Sequence, residues 1–394
     1  MTALAAKLGR RKKKDQTEYF FDYSLLFIVL FLLGFGLVMI YSTSSYEAAQ
    51  EYKGDSAHYL KIQAIAVALG LVCMTIVANI PYHVWEKFAV LGYLVSVGML
   101  LLLKVPRLAV SSHGATRWIR IPGIPLSLQP AEIAKLCMIL FLATLVCKLG
   151  RNVRTFKGFL IMCIAPVPSF VMIWKISNNL SSAIIVFGIS MLMVFVADPC
   201  YKKYVAIGIV GIMLAAGLVF LIINAESTEG MDFRSQRIAV WLNPESDPTD
   251  KGFQTLQALY AIGSGGIWGK GLGRSMQKLG FVPEAQNDMI FSIICEELGL
   301  FGAVAIILMF IMLLWRMMII ANNAPDLFGA MLVVGVIGHI AIQVILNIAV
   351  VTNSIPNTGI SLPFISYGGS SVMFLMIEIG LVLSVAKRIQ LKEV

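Results

Sequence analysis

Ten long apolar runs constrain this chain of 394 residues more than any other feature of its sequence. A helix that spans a bilayer needs roughly 20 mainly apolar residues, and each run approaches that length. The runs lie at about 23–43, 60–79, 88–104, 131–147, 158–175, 180–197, 204–223, 289–314, 327–350 and 369–386. Hydrophobic residues make up 58% of the chain and charged residues only 13%, which fits no soluble globular class. The runs therefore predict an all-α polytopic membrane protein with ten transmembrane helices.

The same pattern predicts the domain organisation. A basic tail, 1–22, precedes a single membrane domain, 23–386, and a short tail, 387–394, follows it. The run that begins at Tyr23 is longer than the roughly 7–15 apolar residues of a signal peptide, so we expect it to remain as an anchor. No internal repeat is evident, which argues against a transporter built from inverted repeats.

The net charge is +9, and the positions of the basic residues that produce it are informative. With ten spans both termini share one side, and that side holds more than half of the 31 lysines and arginines. The positive-inside rule then places both termini in the cytoplasm. Because the basic residues are scattered over separate loops, they indicate topology and attraction to anionic lipid rather than nucleic-acid binding.

The six cysteines all fall within spans or at their predicted cytoplasmic ends, and no C-x-x-C pair occurs. This distribution argues against a disulfide framework and against a structural metal. We expect the protein alone to bind neither a metal ion nor another cofactor.

A long polar segment, 224–288, separates the seventh and eighth spans and ends in Asp288, directly before an apolar helix. Loops longer than about 15 residues are usually functional or disordered, and the aromatics and glycines here favour function. An ionisable group at a membrane boundary is costly, and a low dielectric raises its proton affinity, which suits a general base. We predict that 224–288 covers an active site and that Asp288 is catalytic. A helix N-cap is the alternative, and one residue can serve as both.

Basic residues in the same segment are candidates for phosphate binding. Arg234 and Arg237 stand three apart, so in a helix both project from one face, and their guanidinium groups match phosphate oxygens. A solvated interfacial helix is the alternative. Lys270 lies in a glycine-dense run, 263–273. The main-chain amides of this run could form an anion nest. We favour the alternative, that the run is a plain tight turn between two re-entrant segments.

Other polar residues lie inside or beside spans. Glu132 and Lys135 share one face of span four and either neutralise each other or leave Lys135 to bind an anionic head group. The adjacent Glu296 and Glu297 are expected to be buried and hydrogen-bonded rather than catalytic. We predict a hydrogen-bonded core pair of His339 and Gln343 in span nine, with a proton relay as the less favoured alternative.

The stretch 354–371 is too apolar for a solvated loop and too rich in proline and glycine for a helix. Irregular backbone is tolerated at membrane depth only where protein buries it or where it lines a cavity. A re-entrant hairpin is therefore predicted before span ten.

Motifs over nearly the whole chain carry a resemblance to a known family. They lie at 117–119, 129–135, 253–254, 283–288, 356–359 and 362–371, with Arg234, Arg237 and the glycine-dense run. These segments are similar to those of the SEDS family (shape, elongation, division and sporulation), the FtsW, RodA and SpoVE proteins. Residues 22–26 and 34–42 are more similar to the division-type FtsW branch. The chain departs from the family at Ala131, usually serine, and at 178–182, where the usual aspartate is missing.

The resemblance implies a peptidoglycan glycosyltransferase that polymerises lipid II into β-1,4 glycan on the outer face of the bacterial cytoplasmic membrane, for division or cell shape. Such an enzyme inverts an α-linked donor, with Asp288 as the base. The residues implied in binding substrate are Arg117, Trp118, Lys135, Arg234, Arg237 and Lys270. Those implied in lining the site are Gln129, Glu132, Glu297, Pro363, Ser366, Tyr367, Gly368, Gly369 and Ser370.

The resemblance also implies partners: a single-span penicillin-binding transpeptidase and other membrane proteins of the divisome or elongasome. Two other functions stay open. A lipid II flippase needs polar groups along a path across the bilayer. A non-catalytic division scaffold would tolerate replacement of Asp288.

Overall fold

A computed structural model describes residues 22–105, 109–112, 115–120, 127–198, 233–246 and 252–389, and five single positions between 205 and 217. In those parts nine helices are long and apolar enough to cross a membrane. Except for the five single positions, the predicted seventh span, 204–223, lies outside the described residues, as do the tails 1–21 and 390–394. The protein is a polytopic helical membrane protein, as its apolar runs predict.

Twelve helices and three short strands make up the described residues. The helices are α1 Tyr23–Glu51, α2 His58–Asn79, α3 Tyr82–Leu102, α4 Pro130–Leu149, α5 Phe156–Ile164, α6 Val167–Lys175, α7 Leu180–Ala197, α8 Phe233–Leu242, α9 Phe253–Gly265, α10 Ile290–Asn322, α11 Leu327–Val351 and α12 Gly369–Ala386. The strands are β1 Ala109–Ser112, β2 Ala115–Arg120 and β3 Ser127–Leu128.

Local sequence explains several helix boundaries. Asp22, Asn179 and Asp326 each accept a main-chain N–H of the first turn and so cap α1, α7 and α11. Pro166 separates α5 from α6, because proline lacks the N–H that would continue the hydrogen-bond ladder. The predicted fifth span therefore consists of two short helices that follow each other in the sequence.

The centre of the bundle is formed by α11 and α12, the most deeply buried of the spans. α12 packs along α2, and α11 packs against α4, α7 and α10. The close approach of α12 to α2 depends on Gly380, where an added Cβ would lie 2.8 Å from the carbonyl oxygen of Met74.

The segment 105–130 contains a structure that the sequence did not predict. β1, β2 and β3 form an antiparallel sheet in that order, with Val110 opposite Trp118 and Ile119 opposite Leu128. The prediction of an all-α protein is therefore right for the spans and wrong for this segment, where the proline and glycine positions predict only a break between helices.

Several segments that connect or follow the spans contact one another or a neighbouring span. Trp241 Nε1 donates to the main-chain oxygen of Asn353 at 2.9 Å, and β2 packs against α4. The ring of Tyr59 lies edge-on to that of Tyr367, with centroids 5.1 Å apart. These contacts bring together segments that are far apart in sequence.

The glycine-dense run packs against a break inside α10. Gly299 has a φ of 66°, which interrupts that helix. The main-chain N–H groups of Lys270 and Gly271 donate to the freed carbonyls of Glu296 and Glu297, both at 2.9 Å. Since these amides are occupied, an anion nest is the wrong interpretation, and the glycines instead allow two backbones to touch.

Candidate active site

Asp288 lies one residue before the N-cap position of α10, which Met289 occupies. The alternative interpretation of Asp288 as the helix cap is therefore wrong. Its side chain is 9% exposed, and its Oδ1 has no hydrogen-bond partner among the described residues. A buried carboxylate oxygen without a donor is costly, so this atom is suited to receive a proton or a hydrogen bond from a substrate.

The surroundings of Asp288 favour its protonated form. Burial raises the pKa of Asp288 to about 7, and the negative charge of Glu284 contributes to the increase. The positive charge of Arg237 and the main-chain N–H of Met289 oppose it. A base is most effective when its pKa is close to the working pH, and this carboxyl meets that condition.

Two arginines form the positive part of the site. Arg237, on α8, donates from Nη1 to the main-chain oxygen of Asn357 at 3.2 Å and interacts electrostatically with Asp288. Arg117, on β2, is half-buried, and its pKa is lowered by burial and by the positive charge of Arg237. Its Nε is buried without a hydrogen-bond partner in the described structure. The arrangement brings together two like charges that an anion would neutralise.

The segment 352–368 is not helical, as predicted, and residues 362–366 within it are buried, while the re-entrant hairpin itself remains a prediction. Asn347 Nδ2 donates to the main-chain oxygens of Asp288 at 2.8 Å and Ile360 at 2.7 Å. A methyl group on Gly359 would lie 3.8 Å from Asp288 Oδ2. One buried amide therefore ties the main chain at Asp288 to the main chain at Ile360.

The motif residues of this segment are held by hydrogen bonds. Ser366 Oγ accepts the N–H of Leu362 at 2.8 Å, and the Tyr367 N–H donates to the main-chain oxygen of Gln286 at 2.8 Å. Gln63 Oε1 accepts the N–H of Gly368 at 3.1 Å. Pro363 and Ser370 are buried, while Gly369 begins α12. These residues shape the site without offering a second catalytic group.

Lys135 and Glu132 form a buried ion pair of 2.8 Å, and Ser371 Oγ donates to Glu132 at 3.3 Å. The prediction that the two residues share a helix face is confirmed. Lys135 is 1% exposed. Binding of an anionic head group by Lys135 remains a prediction. Gln129 is the residue before α4, and Trp118 is half-buried on β2. The side chain of Arg234 lies outside the described residues.

Each of the adjacent glutamates in α10 is paired with its own lysine. Glu296 Oε1 accepts from Lys270 Nζ at 2.6 Å, and Glu297 Oε1 accepts from Lys278 Nζ at 2.8 Å. Ser42 Oγ also donates to Glu297 at 2.7 Å. The expectation of a buried, hydrogen-bonded role for the glutamates is confirmed. Lys270 forms an ion pair with Glu296, and phosphate binding by Lys270 remains a prediction.

The predicted pair of His339 and Gln343 is wrong. His339 Nδ1 lies 2.8 Å from Glu378 Oε2 on α12, and Gln343 Nε2 donates to the main-chain oxygen of Ser361 at 3.0 Å. The i, i+4 spacing places both side chains on one helix face, but each finds a stronger partner on a neighbouring segment. Asn347, one turn further along the same face, bonds to Asp288 and is the residue of the candidate site that the sequence analysis did not identify.

Comparisons with known proteins identify the family of this chain. The family described as Cell cycle protein, comprising FtsW, RodA and SpoVE, matches residues 23–391. The chain is 38% identical over 366 residues to stage V sporulation protein E of Bacillus subtilis, covering 93% of this chain and 97% of that protein. It is also 38% identical over 371 residues to a probable peptidoglycan glycosyltransferase FtsW of Geobacter metallireducens, covering 94% and 96%.

Two solved structures share the fold. One is described as structural coordination of polymerization and crosslinking by a peptidoglycan synthase complex, with a TM-score of 0.74, 25% identity and coverage of 93% of this chain and 97% of that one. The other is the rod shape determining protein RodA of Thermus thermophilus, with a TM-score of 0.65, 25% identity and coverage of 94% and 98%.

The nearer resemblance to the FtsW branch remains a prediction, since the sporulation relative and the FtsW relative are equally identical to this chain. The family itself follows from a match that covers all of the described membrane helices. This chain belongs to the FtsW, RodA and SpoVE family, the SEDS proteins.

Proposed function

We propose that this protein is a peptidoglycan glycosyltransferase that polymerises lipid II into β-1,4 glycan strands at the outer face of the cytoplasmic membrane. The observation that carries the proposal is Asp288, a buried carboxylate with a pKa of about 7 and an unpartnered oxygen, beside two arginines. Relatives named as peptidoglycan glycosyltransferases support it. The test is incubation of the purified protein with lipid II, with glycan polymer as the expected product.

In this mechanism Asp288 takes the proton of the attacking sugar hydroxyl as its oxygen bonds to the anomeric carbon of the donor. The bond from that carbon to the pyrophosphate breaks, and the electron pair leaves with the polyprenyl pyrophosphate. Because negative charge grows on the leaving group, fixed cations lower the barrier. Arg117 and Arg237 supply that charge from the described residues, and Arg234 is the third candidate.

The flippase alternative is weakened by the pairing of the intramembrane charges. Glu296, Glu297 and Glu378 each have a basic partner within 2.8 Å. In the part of the chain that the structure describes, these charges are therefore not free to lead a pyrophosphate across the bilayer.

The proposal includes an orientation and a partner. Both termini lie in the cytoplasm, as the positive-inside rule predicts, so Asp288 faces the outside, where assembled lipid II is used. A single-span penicillin-binding transpeptidase would cross-link the new strand. The similarity to a peptidoglycan synthase complex supports such a partner.

Arg237→Ala is expected to raise the KM for lipid II about tenfold, because hydrogen bonds to charged groups contribute roughly 1.5–3 kcal/mol. Arg237→Lys should recover part of the loss by retaining the charge without the bidentate fork. The measurement is the initial rate of polymerisation over a range of lipid II concentrations. Arg274→Ala, at another arginine of the same polar segment, is the control. Unchanged kinetics in Arg237→Ala would remove this residue from substrate binding.

A further inference from the structure

A second group of side chains, whose charge is opposite to that of the arginines, contacts Gln286, two residues before Asp288. We call Glu47, Glu51, Tyr59 and Tyr367 the acidic aromatic cluster. α1 continues about eight residues beyond its predicted span, and this extension carries the two glutamates to the site. The carboxylate of Glu47 hydrogen-bonds to the side chain of Gln286, two residues before Asp288.

The aromatic rings of the cluster are fixed in place. The Tyr59 hydroxyl donates to Glu51 Oε2 at 3.0 Å, and its ring meets that of Tyr367 at an interplanar angle of 84°. Tyr52 lies edge-on to Tyr59 at 5.7 Å and is 39% exposed. Aromatic faces next to carboxylates suit a saccharide, because the rings pack against the apolar C–H face of the sugar while the carboxylates accept its hydroxyls.

Two buried side-chain oxygens beside the cluster lack hydrogen-bond donors among the described residues. Neither Gln286 Oε1 nor Asp288 Oδ1 has a partner among the described residues, and the two side chains are 2% and 9% exposed. A pyrophosphate offers almost only acceptors at neutral pH, so it cannot satisfy these oxygens. Hydroxyl and acetamido N–H groups of an amino sugar can satisfy them.

We propose that the acidic aromatic cluster, with Gln286, binds the saccharide that presents the attacking hydroxyl, whereas Arg117 and Arg237 bind the pyrophosphate of the donor. This inference rests on the proposed function and adds the assignment of each substrate to a part of the site. The carboxylates of the cluster repel pyrophosphate and the arginines attract it, so charge favours the saccharide at the cluster and the pyrophosphate of the donor at the arginines. The acceptor hydroxyl then lies where Asp288 Oδ1 can take its proton.

The assignment is tested by binding two probes that each resemble one half of the reaction. The saccharide probe is N-acetylglucosaminyl-N-acetylmuramyl peptide without lipid or pyrophosphate, and the anion probe is inorganic pyrophosphate. Saturation-transfer NMR on the full-length protein in detergent measures both affinities. Tyr59→Leu and Glu47→Gln are expected to weaken saccharide binding about tenfold, the loss of one aromatic contact or one charge-assisted hydrogen bond. Pyrophosphate binding should be unchanged.

The arginine variants should show the reverse pattern, with pyrophosphate binding weakened in Arg117→Ala and Arg237→Ala and saccharide binding retained. Tyr59→Phe keeps the ring and loses only its bond to Glu51, so its effect should be about threefold. Tyr23→Leu, at the opposite end of α1 from Glu47, is the control and should bind both probes normally.

Saccharide binding at the wild-type level in both Tyr59 variants would overturn the assignment, as would equal loss of both probes in any of these variants that keeps the wild-type melting temperature. The proposed function is judged separately, by polymer formation from lipid II in the wild-type protein. If the wild-type protein polymerises lipid II but substitutions of Tyr59 and Glu47 leave both probe affinities unchanged, only the inference about the cluster is refuted.

Discussion

Replacing Asp288 by asparagine is expected to lower the rate of lipid II polymerisation by about 10²–10⁴-fold, the usual contribution of a positioned general base. The amide has nearly the same shape as the carboxylate but cannot accept the proton of the sugar hydroxyl. The fold should be retained, since the Asp288 side chain does not cap α10 and its main-chain bond to Asn347 is unaffected. The measurement is the initial rate of glycan formation by the purified variant.

The matched control is Asp55→Asn, the same chemical change at a partly exposed aspartate that pairs with Lys61 at 2.8 Å. Exposed ion pairs contribute little, so this variant should polymerise lipid II at the wild-type rate. A folded Asp288→Asn protein with the activity of the control would show that the proton goes elsewhere.

Lys278→Met is expected to cost about 3–5 kcal/mol of stability, because it leaves the buried carboxylate of Glu297 without its positive partner. Glu297 is fully buried and Lys278 is 8% exposed, so water cannot replace the lost charge. Ser42 would be the main remaining side-chain donor. The expected result is a lower melting temperature in detergent, followed by tryptophan fluorescence.

The double variant Lys278→Met with Glu297→Leu should recover most of that loss, since it removes both charges and leaves an apolar contact. Lys61→Met, which breaks the exposed pair with Asp55, is the control and should melt at the wild-type temperature. If Lys278→Met has the same melting temperature as the control, the pair does not hold α10 to the segment that follows the glycine-dense run.

The spans and the location of Asp288 were predictable because they depend on local sequence. Apolar length defines a span, and a carboxylate directly before such a run must lie near the membrane boundary. The shared face of Glu132 and Lys135 follows from helical spacing. These features need no knowledge of how the helices pack.

Contacts between distant segments were not predictable. Ser42 and Glu297 are 255 positions apart, and nothing in either neighbourhood identifies the other. The break at Gly299 is equally hidden, since a glycine in an apolar run is common in membrane helices. The freed groups on both sides of the break are satisfied by the glycine-dense run, through the amides of Lys270 and Gly271 and the carbonyls of Gly266 and Ile267. The position of Asn347 could have been noticed in the sequence, because Asn347 is a third polar residue on the helix face that carries His339 and Gln343.

The central claim is that Asp288 acts as a base whose pKa burial has raised to about 7. Below that pH the folded protein holds Asp288 protonated, so a base-catalysed rate must fall as the pH falls. The most direct test is the pH dependence of kcat/KM for lipid II polymerisation between about pH 5 and 8. A tenfold fall per pH unit below about 7, with a plateau above it, is the predicted result. A rate that stays constant over this range would contradict the account.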